Sequence, residues 1–156
     1  MDQVRQLRQQ ENTVVKYGRS KMEVDDIEQV MEKVEQVMDT SPEIFSTEFS
    51  LSRLAELSGE AEDRLSQAIN QVPGRTFYSI LNKYRVMEAC RRMSDRKQSD
   101  NLTIEAIGQS VGFKNRSHFV TTFKRITGLT PSAYLKQTTS TDFQPSESHA
   151  DSADIE

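Results

Sequence analysis

Residues 103–136, TIEAIGQSVGFKNRSHFVTTFKRITGLTPSAYLK, constrain the fold more than any other part of the chain. Ile104, Ile107 and Val111 recur at i, i+3 and i+7, one apolar stripe of a helix. Thr103 suits the N-cap of that helix. Gly112 follows Val111, where a reversing chain needs a positive φ. Phe113 then plugs the angle between two helices. Asn115 is a second N-cap, and Phe119, Phe123 and Ile126 give a second stripe, predicting a helix over 116–127. Gly128 ends it, and Thr130-Pro131 opens a third helix with proline at its first position. A short helix, a glycine turn and a second helix with polar and basic residues on its outer face make a helix-turn-helix.

The same shape occurs earlier in the chain. Ser50 precedes a helix over 51–58 with Leu51, Leu54, Ala55 and Leu57 inward. Gly59 is the turn, and a second helix follows with Leu65, Ala68, Ile69 and Val72 inward, closed by Pro73-Gly74. Leu54-Ala55 answers Ala106-Ile107, Gly59 answers Gly112, Leu65 answers Phe119, Ile69 answers Phe123, and Gly74 answers Gly128. Two related units about 50 residues apart are an internal repeat. Residues 76–95 join them. Phe77, Ile80, Leu81, Tyr84, Val86, Met87, Cys90 and Met93 predict a long helix of about 30 Å, near the 34 Å repeat of B-DNA. Arg85 interrupts that apolar face and is expected to pair internally and fix the two units rather than to touch DNA.

Val111-Gly112-Phe113, Ser117, Phe119, Phe123-Lys124-Arg125, Gly128 and Thr130-Pro131 with Tyr134 closely resemble the signature of the AraC/XylS family of bacterial transcription factors. Over about 47–137 the resemblance implies an all-α fold with two helix-turn-helix subdomains joined by a long helix. It also implies two recognition helices, about 61–72 and 116–127, in successive major grooves. Ahead of them, Val24, Ile27, Val30, Met31, Val34, Val37 and Met38 form an amphipathic stripe among acidic residues. That stripe reads either as a helix docked on the domain that follows or as a homodimer seam through 24–38. Its segment resembles the connector of AraC-type proteins whose DNA-binding part is attached to a larger sensor. The expected organisation is a polar extension over 1–22, a connector helix over 23–45, the double helix-turn-helix over 46–137, and a disordered acidic Ser/Thr-rich tail over 138–156.

Net charge is −4, but it is unevenly placed. Residues 1–45 carry −4, residues 46–137 carry +5, and residues 138–156 carry −5. A basic middle between acidic flanks suits a DNA-binding module, and the basic part alone is expected to suffice for binding. Matched to the family motif, Arg116, Ser117 and Thr121 fall where side chains contact bases, as do Asp63, Ser66 and Gln67 in the first unit. By chemistry, Arg116 suits guanine, Gln67 suits adenine, and Val120 suits a thymine methyl. Lys114, Lys124, Arg125 and Arg64 suit phosphates, with Asn115 and His118 beside them. Glu60, Glu62 and Asp63 crowd the start of the first recognition helix, and Ala61 stands where a capping serine is usual in the family. Carboxylates there repel phosphate, so the first reader is expected to be the weaker one.

No catalytic constellation is visible, so no enzymatic activity and no cofactor are expected. The two histidines, His118 and His149, and the single Cys90 show no metal-ligand spacing. Cys90 lies in an apolar stripe as an inert thiol and cannot form an internal disulfide, which fits a reducing cytoplasm. No apolar run near 18 residues marks a membrane span, and no signal peptide is visible at the start. The expected function is sequence-specific transcription regulation near the nucleoid, with double-stranded DNA and RNA polymerase as partners. The alternative is a protein-interaction or antagonist module of the same fold with weak DNA binding.

Overall fold

In the computed structural model, residues 22–95 and 101–139 are described. Of the expected extension over 1–22, residues 1–21 lie outside the described residues, as do residues 140–156 of the expected tail over 138–156. Seven α-helices and one 3-10 turn occur among the described residues, with no strand. They are α1 (Val24–Thr40), the 3-10 turn (Pro42–Phe45), α2 (Leu51–Ser58), α3 (Glu62–Ile69), α4 (Phe77–Ser94), α5 (Ile104–Ser110), α6 (Arg116–Thr127) and α7 (Pro131–Thr139). Contacts divide them into two units. Helix α1 as far as Val37 groups with Leu51–Thr76, and Met38–Ser50 groups with the chain from Phe77 onward.

In the first unit, α2 and α3 pack together across Gly59, whose φ is 78°. Leu54, Leu65, Ala68 and Ile69 are buried, and so are Val30 and Val34 of α1. The stripe of α1 is therefore satisfied within its own chain. Its first member, Val24, is left 68% exposed, and Glu23, Asp25, Glu28, Glu32 and Glu35 face solvent. The connector is not one continuous helix to 45. It stops at Thr40, and Ser41 Oγ accepts from Glu43 N at 3.2 Å to start the proline-led turn.

Helix α3 is shorter than the periodicity predicts, ending at Ile69 rather than near 72. Arg75 closes that end. Its Nε donates to the Ile69 carbonyl at 2.7 Å and its Nη2 to the Ala68 carbonyl at 2.8 Å. These are last-turn carbonyls that have no partner within the helix, and a cation suits that end of the dipole. The chain turns away at this point, and Val72, expected inward, is 47% exposed.

The second unit is built on α4, which packs against α5, α6 and α7. Val86, Ala89 and Met93 of α4 share one core with Ile107, Val111, Phe113, Phe119, Phe123 and Tyr134. The aromatics form a chain: Phe113–Phe119, Phe119–Phe123 and Phe123–Tyr134 have centroids 5.2, 5.6 and 5.6 Å apart. Such tilted and edge contacts add to area burial. Gly108 permits this packing, because a Cβ there would lie 2.6 Å from Phe119 Cδ2. Met87, expected inward on α4, is 56% exposed.

Arg85 is 6% exposed and clasps the chain before α2. Its Nε donates to the Ile44 carbonyl at 2.8 Å and its Nη2 to the Ser46 carbonyl at 2.7 Å. Its internal partners are thus backbone carbonyls of its own unit. Burial lowers its pKa to about 10, which leaves it charged at neutral pH.

Candidate nucleic-acid interface

Helix α6, the second of the two expected to read DNA, is fixed at both ends. Asn115 Oδ1 accepts from His118 N at 2.8 Å, and Gly128 closes the helix at φ 86° with its N–H on the Lys124 carbonyl at 2.8 Å. Phe119, Thr122 and Phe123 are buried, which fixes the rotation of the helix about its axis. The opposite face then carries Arg116, Ser117, Thr121, Lys124 and Arg125, all exposed, with Val120 half-buried among them. Lys114 and Asn115 are exposed just ahead of the helix. His118 is exposed too, its ring edge-on to Phe113 at 5.3 Å. The helix carries three cations and no carboxylate. Val120, Thr121, Lys124, Arg125, Gly128 and Thr130 line an open groove of about 640 Å³ along this face. Thr130 Oγ1 caps α7 by accepting from Ala133 N at 3.0 Å.

Helix α3 is built differently. Ala61 sits at its N-cap with extended backbone and no side-chain cap bond. Asp63 is exposed, while Ser66 and Gln67 are half-buried. The Ser66 carbonyl accepts from Asn70 N at 2.9 Å and the Gln67 carbonyl from Gln71 Nε2 at 3.1 Å. Arg64, expected as a phosphate ligand, donates through Nε to Glu60 Oε1 at 3.0 Å. Glu60 Oε2 also accepts from Lys33 Nζ at 2.6 Å. These partners are 4 and 27 residues from Glu60, and Lys33 carried no signal in the periodicity of α1.

Among the described residues, no group of three His, Cys, Asp or Glu side chains is placed to hold a metal ion. Burial pushes the Cys90 thiol up to about 11, so it stays protonated and weakly nucleophilic near pH 7. No helix among the described residues is long and apolar enough to cross a membrane.

Two helix-turn-helices joined by a long helix define the class. A family model described as a helix-turn-helix domain matches residues 51–137, more than half of the chain, and the chain belongs to this AraC-type helix-turn-helix family. An uncharacterized HTH-type transcriptional regulator of Staphylococcus aureus (strain COL) is 35% identical over 103 residues, which are 66% of this chain and 13% of that protein. Its counterpart in Staphylococcus aureus (strain MSSA476) matches over the same shares, also at 35% identity. The chain thus spans about 13% of the length of these relatives. Among solved structures, the C-terminal domain of AraT, a response regulator from Geobacillus stearothermophilus, superposes with a TM-score of 0.53 at 24% identity. It covers 69% of this chain and 83% of that one, and shows the fold.

Proposed function

We propose that this chain is the sequence-specific DNA-binding part of a transcription regulator, with α3 and α6 as recognition helices for successive major grooves. One observation carries the reading: α6 presents Arg116, Ser117, Thr121, Lys124 and Arg125 on one outward face with no carboxylate among them. Arg116 would read guanine through two parallel hydrogen bonds, and Ser117 and Thr121 would read neighbouring base edges. Lys114, Lys124 and Arg125 would hold phosphates, and Asn115 and His118 flank the strand while keeping the helix start in shape. On α3, Ser66 and Gln67 are the base readers.

The test is a titration of the full chain on selected and scrambled duplexes at two salt concentrations. Arg116→Ala is expected to cost about 1–3 kcal/mol on the selected site and to relax preference at one base pair. Lys124→Ala should weaken all sequences alike and reduce the salt slope by about one. Gln67→Ala should cost less than Arg116→Ala. A larger loss from Gln67→Ala, or intact base preference in Arg116→Ala, overturns this assignment.

The relatives are far longer and are named HTH-type transcriptional regulators. This supports a role as the output segment of a longer regulator, signalled by an upstream sensor, acting at the nucleoid and contacting RNA polymerase. A second reading, a protein-interaction or antagonist module, draws on the acidic start of α3 and the pairing of Arg64 with Glu60. Binding that does not weaken with added salt would favour it.

A further inference from the structure

Glu60 stands immediately before the first recognition helix and divides its carboxylate between two cations. Lys33 Nζ of α1 lies 2.6 Å from Oε2, and Arg64 Nε of α3 lies 3.0 Å from Oε1. The Glu60 side chain is 11% exposed, whereas those of Lys33 and Arg64 keep 47% and 43%. Lys33 is the one basic residue of α1, and Arg64 is the one basic residue of α3. The cation that α3 could offer to a phosphate is therefore held by the group that ties down α1. A single negative charge shared by two cations holds each more weakly than it would hold either alone, because the cations repel each other across it. The shorter bond goes to Lys33, and that bond is the foremost reason why the Glu60 carboxyl is held below the ordinary carboxylate value.

We propose that Lys33 and Glu60 are positioning residues for Arg64: Lys33 draws on Glu60 and eases Arg64 toward a DNA phosphate, and without the Lys33 ammonium Glu60 holds Arg64 alone. Lys33 thereby sets how readily the first unit engages a phosphate through Arg64. This inference rests on the DNA-binding reading above and names the residues that position the cation of its first recognition helix. A merely structural ion network would change the melting temperature and leave DNA affinity alone.

The deciding experiment is a set of anisotropy titrations of the full chain on a random-sequence duplex at two salt concentrations, with thermal melts to confirm that each variant folds. Glu60→Gln should tighten binding about two- to fivefold, the range of a partly exposed ion pair, and steepen the salt slope by about one. Both gains should vanish in the Arg64→Ala background. Lys33→Met should weaken binding, Lys33→Arg should restore it, and neither substitution should matter once Glu60 is Gln. Gains from Glu60→Gln that persist without Arg64 would show a general charge effect and overturn the proposal. So would a Lys33→Met loss that persists without Glu60, since Lys33 would then touch DNA itself. If no variant, Arg116→Ala included, shows salt-dependent duplex binding, the DNA-binding reading itself fails, which is a different outcome.

Discussion

At the scale of single residues, Gly112 and Arg85 depend on each other. Gly112 has a φ of 111°, and a Cβ there would lie 2.5 Å from Arg85 Nε. Gly59 has a φ of 78° with nothing within 4 Å of its virtual Cβ. Gly59→Ala should therefore cost only the backbone strain, about 1 kcal/mol. Gly112→Ala should cost about 2 kcal/mol or more, because it also displaces a guanidinium bonded to two carbonyls. Arg85→Met should approach the Gly112→Ala loss by leaving the Ile44 and Ser46 carbonyls without that donor. Urea unfolding of the three variants checks this. Equal losses for the two glycine variants would show that the contact with Arg85 carries no weight.

At the scale of elements, α3 and α6 start in opposite ways. Asn115 caps α6 with a 2.8 Å bond, and Ala61 leaves α3 without a side-chain cap. Asn115→Ala should lower stability by about 1 kcal/mol, and Ala61→Ser should raise it by about 0.5–1 kcal/mol. Thermal unfolding reads both, and a destabilising Ala61→Ser would mean that the start of α3 is shaped by its charged neighbours rather than by a missing cap. On α1, Val34 is wholly buried. Val34→Asp places a charge at a wholly buried position of the first unit and should unfold that unit, at a cost of about 3 kcal/mol or more, the order of a buried unpaired charge. An unchanged melting temperature would show that the stripe is idle. By the same burial, cutting at 46 removes Val30 and Val34 from the first unit's core, so the fragment 46–137 should melt lower than the full chain.

At the scale of the whole molecule, acid should loosen both units through two carboxylates. Lys33 holds Glu60 below its ordinary value, and Arg91 does the same for Glu88, with Arg64 and Arg92 helping. For carboxyls whose folded pKa is depressed, the stabilisation is present above the unfolded value and is lost as pH falls through the folded one. The melting temperature should therefore hold steady near neutrality and fall below the ordinary glutamate value of 4.5. Combining Glu60→Gln with Glu88→Gln should flatten that fall. A profile as steep in the double variant as in the parent would assign acid sensitivity to other groups.

The sequence by itself determined what is local. Thr103 and Asn115 as caps, the positive-φ glycines 59, 74, 112 and 128, and the stripes of α5 and α6 are all decided within a few residues, by backbone sterics and a 3.6-residue period. The exposed face of α6 was legible for the same reason, because burying Phe119 and Phe123 leaves Arg116, Ser117 and Thr121 outward. Only the tertiary structure decided the rest. Arg85 meets a carbonyl 41 residues away, Lys33 meets Glu60 27 residues away, and Arg75 turns back onto the last carbonyls of α3. A stripe says which side of a helix is apolar but not how wide its partner is, so Val72 and Met87 stayed exposed against expectation. Long flexible cations carry no periodic signal, and their partners are chosen by which acceptors the packed chain brings within reach.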